Sequence, residues 1–523
     1  LNNMLKLGFI DAEQAEKAKT QQLEYHQASI TKVAKYPYFI DTVIDEASAL
    51  LEKQNIDSSQ LYQGGLRIYT ALDTQVQAEM EKIYQDKNNF PASASDRLME
   101  SAMVVLDHRT GEVRGIIGGR NYTTRRGFNY ATQAERQPGS TIKPLVVYGP
   151  ALEQNFSPAY VLDDAPVSFP SVPKPFAPVN YDRRYRGLIS MREAIRWSVN
   201  IPAVKMLNTI GVASGFEFGA RLGLPLQAND KNLSLALGGL TTGVSPLEMA
   251  AAYGTFANQG IYIEPHVVTK ITDRHGKDLV VVKPAKTAVM SEQVAYLMTD
   301  MLTTVVTSGT GTNARLGRPA AGKTGTTSLP DLPGFAGKTG SRDAWYVGYT
   351  PELVAAVWMG YDPTDPEHYL RNVAGGGHPA LIWKKVINVA LKDQPVQAFP
   401  RPAGIIYADV DAKSGLLPSD LTPEEFIVKE IFTQDMLPKN ISEAWVEAHV
   451  CTTSGQLSSP ACPSVTAGTF LNRPPISSGQ VEDAKLAAPT ETCTLHSGGS
   501  VPGLVAICTD PRHEGVLHLA NLP

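Results

Sequence analysis

The sequence predicts an α+β fold, an antiparallel sheet flanked by helices, and three observations predict it. Two hairpin patterns lie far apart in the chain. In the first, the apolar runs Ala102–Leu106 and Val113–Ile117 flank the turn Asp107-His-Arg-Thr-Gly111. In the second, Ala344–Tyr349 and Leu353–Met359 flank Thr350-Pro-Glu352. The long stretch between them is largely helical in pattern, and an apolar-periodic helix, Ala380–Leu391, follows the second hairpin. Strands split between two distant hairpins, with helices between and after them, give a sheet covered by helices.

Taken in order, residues 1–36 are polar and helical in pattern. The chain opens within a helix-like run (Leu5, Leu7, Phe9, Ile10), so an export signal or membrane anchor is expected upstream of it. Residues 37–95 read as a small mixed linker: a helix over Ile40–Leu51, a strand over Gly65–Thr70 and an amphipathic helix from Asp73 to Tyr84. Residues 96–395 form the main domain, interrupted by a proline-rich stretch from Pro158 to Pro178. Beyond Ala398 the composition shifts to Pro, Ser, Thr and Gly, so 396–523 reads as a loop-rich extension, with a strand over Gly404–Asp411.

The 523 residues are 43% hydrophobic and 19% charged, which suits packed domains rather than disorder. A net charge of -5 gives no basic face for a nucleic-acid partner. No apolar run is long enough to span a bilayer. The four cysteines, Cys451, Cys462, Cys493 and Cys508, all lie in the extension. They admit two local disulfides, Cys451–Cys462 and Cys493–Cys508, or four free buried thiols. Their spacing lacks C-x2-C pairs, so no metal is expected, and no cofactor either.

A serine with a lysine three residues later shares one face of a helical turn, and a lysine of lowered pKa can then take the hydroxyl proton. The chain has three such pairs: Ser29/Lys32, Ser140/Lys143 and Ser171/Lys174. Ser171 is hemmed by Pro170, Pro173 and Pro175, which disfavour the helix. Ser29 lies in a polar stretch where its lysine is solvated and protonated. Ser140 follows the turn Pro138-Gly139 and is expected to open a buried helix (Leu145, Val146, Val147, Ala151, Leu152), whose free amides suit an oxyanion. Taken alone, Ser140 reads equally as a plain helix N-cap.

Two further elements decide. Ser198-Val-Asn200 offers a hydroxyl and an amide in a loop after the helix-like Met191–Trp197. Lys323-Thr324-Gly325-Thr326 is a strand pattern in which the glycine permits close approach and the flanking hydroxyls can bind a carboxylate. Gly317–Thr324 also matches the P-loop spacing, but Leu329-Pro-Asp-Leu-Pro333 downstream prevents the required helix. Lys338-Thr-Gly340 duplicates the lysine triplet, and Leu329–Gly337 reads as part of an inserted loop before Ala344.

This trio resembles the S-x-x-K, S-D-N and K-T-G motifs of penicillin-binding proteins and class A β-lactamases, with Val199 in place of the central Asp. Arg136-Gln-Pro-Gly-Ser-Thr-Ile-Lys-Pro144 looks like the nucleophile segment of class A penicillin-binding proteins. Gly243–Tyr253, Thr255–Gly260, Leu297–Leu302, Val305–Gly311 and Asp343–Pro351 also resemble family segments. The likeness covers residues 37–395; residues 1–36 resemble the tail that follows the family's glycosyltransferase domain. The resemblance implies the penicillin-binding fold and a D,D-transpeptidase. Ser140 would be the acylated nucleophile, Lys143 the base, Ser198 a proton relay supported by Lys323, and Asn200 a ligand for the donor amide. Thr324 and Thr326 would hold the donor carboxylate beside Gly325, and the amides of Ser140 and Thr326 would form the oxyanion hole. It implies peptidoglycan stem peptides and β-lactams as partners, with cell-wall synthesis proteins as further ones. The implied place is outside the cytoplasmic membrane, with the full-length protein anchored in it. A serine β-lactamase, a β-lactam sensor and a non-catalytic envelope protein share parts of this pattern. No deacylating glutamate or signalling domain can be pointed to, and the intact trio speaks against a purely structural protein.

Overall fold

Alternation along the strands of both hairpins sends side chains to opposite faces of a single sheet. A computed structural model describes residues 1–21, 35–171, 174–473 and 481–496. Ser29, Lys32 and Cys508 lie outside the described residues. Five antiparallel strands run in the order Ala321–Ser328, Ser341–Tyr349, Val354–Gly360, Glu100–Asp107 and Glu112–Ile117. The two hairpins meet where Val354 pairs with Leu106 and Gly360 with Glu100.

One face of the sheet presents Trp345, Val347, Val354, Ala356, Val104 and Leu106 to a core shared with the helices Pro246–Ala257 and Glu292–Ser308. The other face presents Ala344, Tyr346, Ala355, Val357, Met103 and Val105 to the helices Thr74–Gln85 and His378–Ala390. The helix expected from Asp73 starts as read: the Asp73 carboxylate accepts from the Gln75 and Val76 amides at 2.9 and 3.1 Å. The strand Arg67–Thr70 pairs with Val268–Thr272 in a separate three-stranded sheet. The helix Pro37–Lys53 packs into the first core.

The extension contains more regular structure than its composition suggests. Ile406–Asp411 pairs with Ile427–Phe432, and Trp445–Cys451 with Val465–Leu471. The first hairpin joins the main core through Ile405, Val410, Ile431, Phe432 and Met436. Arg192 fastens it further, its Nε donating to Glu430 Oε2 at 2.7 Å. The second hairpin is held by polar contacts: Arg473 reaches Asp163 at 2.6 Å and Asp483 at 2.9 Å, and Asp483 accepts from the Leu188 amide at 2.8 Å. Cys451, Cys462 and Cys493 are free thiols, so the Cys451–Cys462 bridge is absent. Cys462 Sγ turns back instead to accept from the Ser459 amide at 3.2 Å. Among the described residues no helix is long and apolar enough to cross a membrane.

Candidate active site

The segment after Ser140 is helical, but not in the regular form the sequence suggested. Gly139–Ile142 is a tight 3₁₀ turn, Pro144–Tyr148 is a wider π-helical turn closed by the Gly149 amide on the Pro144 carbonyl, and Gly149–Glu153 is α-helical. Pro144 and Pro150 lack amide donors, and their rings prevent a uniform α ladder across the segment. Gly139 has φ +54, and a Cβ there would lie 2.9 Å from the Thr326 carbonyl. The turn that carries Ser140 therefore presses directly against the edge strand Ala321–Ser328. Gln137 binds them together: its carbonyl accepts from Thr327 Oγ1 at 3.0 Å and from Trp345 Nε1 at 2.9 Å. Tyr253 OH donates to the Thr141 carbonyl at 2.6 Å from behind.

The three motifs converge on one cavity of about 840 Å³, whose lining includes Ser140, Ser198, Asn200, Thr324 and Thr326. Behind that lining lie Lys143 and Lys323, both fully buried. Lys143 Nζ donates to the Ser198 carbonyl at 2.8 Å, the Val199 carbonyl at 3.1 Å and Asn200 Oδ1 at 2.8 Å. Lys323 Nζ donates to Ser198 Oγ at 2.8 Å and to the Thr324 carbonyl at 3.0 Å. Ser198 thus bridges the two lysine side chains, one through its carbonyl and the other through its hydroxyl. It does so with φ 57, a left-handed backbone that costs on the order of 1–3 kcal/mol in a non-glycine residue.

Burial and the nearby Lys323 push the Lys143 pKa well below the ordinary lysine value. Burial alone brings Lys323 down to about 7. Both causes acting on Lys143 weaken its hold on its proton and so favour the neutral form that can accept one. Lys143 Nζ is directed to its three acceptors on Ser198, Val199 and Asn200 rather than to the Ser140 hydroxyl.

The surrounding shell includes residues that the sequence reading did not single out. Asn180 Oδ1 accepts from the Asn200 and Ile201 amides at 3.0 and 3.2 Å, while its Nδ2 donates to Asp164 Oδ1 at 2.7 Å. This fixes the start of the helix Asn200–Ile210, and with it the amide that meets Lys143. Thr310 Oγ1 lies 2.8 Å from Thr324 Oγ1, and Thr326 Oγ1 accepts from the Gly375 amide at 3.2 Å. Asn180 lies just past the proline-rich stretch with no motif to mark it, and Gly375 arrives from a loop after the sheet.

The competing patterns fall elsewhere. Ser171 and Lys174 are exposed. Gly317–Thr324 runs into the strand Ala321–Ser328, with no helix behind it. Lys338 is exposed, above the Tyr369 ring at 5.8 Å, in the excursion between the first two strands of the sheet.

Residues 101–387 match the penicillin binding protein transpeptidase domain, and residues 401–447 match the penicillin-binding protein 1A C-terminal domain. The chain is 38% identical over 414 residues to penicillin-binding protein 1F of Bacillus subtilis, covering 79% of this chain and 55% of that protein. It is 36% identical over 470 residues to penicillin-binding protein 1A/1B of the same organism, covering 85% and 48%. The chain thus spans about half the length of the curated relatives it matches. Among solved structures it resembles the PonA1 protein from Mycobacterium tuberculosis in complex with penicillin V, at 29% identity and TM-score 0.61, covering 71% of this chain and 97% of that one. Penicillin-binding protein 1A from Haemophilus influenzae shares the fold at TM-score 0.66 and 23% identity, covering 84% and 81%. With the domain match extending over more than half of its length, the chain belongs to the penicillin-binding protein transpeptidase family.

Proposed function

We propose that this chain carries the D,D-transpeptidase activity of a peptidoglycan-building enzyme, with Ser140 as its acylated nucleophile and residues 96–395 as its catalytic body. The observation that carries the proposal is the Ser198 bridge between two buried lysines, set in the cavity that Ser140 lines. Ser140 Oγ attacks the carbonyl carbon between the two terminal D-alanines of a stem peptide, and its proton passes to Lys143. The amides of Ser140 and Thr326 stabilise the oxyanion. Ser198 delivers a proton to the departing D-alanine amine, with Lys323 favouring the charge redistribution. Asn200 holds the donor amide, while Thr324 and Thr326, with Gly325 between them, receive the terminal carboxylate. The amine of a neighbouring stem then attacks the Ser140 ester, forms the cross-link and releases the serine.

β-Lactams mimic the donor and stop at the acyl-enzyme. The substrate places the enzyme outside the cytoplasmic membrane, among other cell-wall synthesis proteins. The test is intact-protein mass spectrometry after incubation with a fluorescent penicillin. The expected result is a stable one-to-one adduct on the wild type and none on Ser140→Ala. Rapid drug hydrolysis without an adduct would indicate a β-lactamase instead. No reaction in a folded sample would end the catalytic reading.

A further inference from the structure

The extension holds a second chemical cluster, far in sequence from the catalytic residues, and its two hairpins explain it. They are built alike. In the first, the Asp411 amide donates to the Leu416 carbonyl at 2.8 Å, and the Gly415 amide returns to the Asp411 carbonyl at 2.7 Å with Gly415 at φ +72. In the second, the Cys451 amide donates to the Gln456 carbonyl at 2.8 Å, and the Gly455 amide returns to Cys451 at 2.8 Å with Gly455 at φ +71. The Leu417 carbonyl accepts from the Ser442 amide at 2.7 Å; the Leu457 carbonyl accepts from the Cys493 amide at 2.8 Å. The Ser419 amide donates to Thr422 Oγ1 at 3.0 Å; the Ser459 amide donates to Cys462 Sγ at 3.2 Å.

The backbone therefore equates Asp411 with Cys451, Thr422 with Cys462 and Ser442 with Cys493. The first hairpin is tied by oxygen chemistry: Ser442 Oγ donates to the Asp411 carboxylate and accepts from Ser414 Oγ at 2.9 Å. In the second hairpin all three equivalent positions carry thiols, which are weak hydrogen-bonding groups and cannot replace that knot. A fourth donor arrives from Cys493-Thr-Leu-His496. His496 Nδ1 lies 3.3 Å from Cys493 Sγ and 3.4 Å from Cys451 Sγ. The four donor atoms all lie within 4.8 Å of one another. A tetrahedral zinc ion with bonds of about 2.3 Å to sulfur and about 2.0 Å to nitrogen needs donor–donor edges of roughly 3.5–3.8 Å.

We propose that Cys451, Cys462, Cys493 and His496 bind one structural zinc ion through three thiolate sulfurs and one imidazole nitrogen. Each thiol gives its proton to solvent as its Zn–S bond forms. The soft sulfur-rich donor set selects zinc over magnesium or calcium, and four protein donors leave no open position for catalysis. The module needs such a fastening. Its buried apolar side chains are few, among them Trp445, Val450, Leu471 and Val481, and a small unit with so little core is commonly stapled by a metal. The C-x2-C criterion is blind to such a site, whose signal is the C-x2-H of Cys493 and His496 joined by two thiols that the fold brings to it.

The test uses the full chain, purified with and without added zinc. Elemental analysis by mass spectrometry is expected to give one zinc per chain. Cobalt loading is expected to give thiolate charge-transfer bands and tetrahedral ligand-field bands. Cys462→Ser and His496→Ala should lose the ion, while His496→Cys, which restores a soft donor, should keep it. Circular dichroism and the main thermal transition should remain near wild type in these variants, separating loss of the site from loss of the catalytic body. A zinc-free wild type in which Cys451, Cys462 and Cys493 are all alkylated freely after zinc addition, as peptide mapping would show, would overturn the proposal. So would a disulfide between any two of the three cysteines in the freshly purified protein, or zinc retained by both Cys462→Ser and His496→Ala.

Discussion

Ser198 is the residue on which the site's electrostatics turn, because each of its oxygens serves a different lysine. Its carbonyl accepts from Lys143 and its hydroxyl from Lys323. The chemistry proposed above needs Lys143 neutral and Lys323 charged. Lys143 loses its proton well below the ordinary lysine range, so acylation should rise as pH climbs through that point. Lys323 loses its proton near 7, so acylation should fall again as pH passes above it. The second-order rate of acylation by a fluorescent penicillin, followed across a pH series spanning neutrality, is expected to be bell-shaped. Lys323→Arg, whose charge does not titrate, should remove the falling limb. A wild-type rate still climbing well above neutrality would show that Lys323 does not act in its charged form. At this scale Ser140, Lys143, Ser198, Asn200 and Lys323 were legible from motif chemistry. Asn180 and Asp164, which set the position of Asn200, were not. Their partners lie on other segments, and no local pattern marks a residue whose task is to orient a neighbour.

The strand Ala321–Ser328 and the turn Gly139–Ile142 form the element pair on which the geometry rests. Gly325 lies at their closest approach: a Cβ there would stand 2.5 Å from the Pro138 carbonyl and 2.9 Å from Thr141 Cγ2. Neither atom can swing aside, because one is backbone and the other belongs to a buried side chain. Gly325→Ala should push strand and turn apart, and a displacement of about 1 Å costs on the order of 100-fold in a positioned reaction. The expected result is acylation slowed about 100-fold, with a stability loss of roughly 1–3 kcal/mol from overpacking. Stopped-flow acylation and denaturant titration would measure the two separately, and unchanged acylation would show that this contact does not position Ser140. The hairpins were readable because apolar alternation and turn residues are local signals. The departure from a regular helix after Ser140 was not, because the pattern of buried residues is the same whichever way the turns are wound.

Across the whole molecule, the extension is attached in two different ways. Its first hairpin shares the main hydrophobic core, whereas its second is held by charged and polar contacts. Arg192 joins the first hairpin to the catalytic body through Glu430, which is itself buried, and it also approaches Asp300 in the helix Glu292–Ser308. Arg192→Ala would leave the Glu430 carboxylate buried without its partner, a change that costs about 3–5 kcal/mol. Differential scanning calorimetry should show the extension separating as an earlier transition, and limited proteolysis should cut between the catalytic body and residue 405. A single unshifted transition would show that this ion pair does not couple the two parts. Composition read the extension as loops because it is richer in Pro, Ser, Thr and Gly than the body before it. Its regular hairpins come from long-range pairing, which composition does not register.

The edge position of the strand Ala321–Ser328 has a consequence for solubility. A strand at the end of a sheet offers unpaired amides and carbonyls to any other extended chain, and proteins normally blunt such borders with charge or proline. Here Ala321–Gly325 is buried despite its position, with the turn Gly139–Ile142 and the helix Glu292–Ser308 packed against the strand. The same packing that holds the Ser140 turn in place thus also guards this edge of the sheet against self-association.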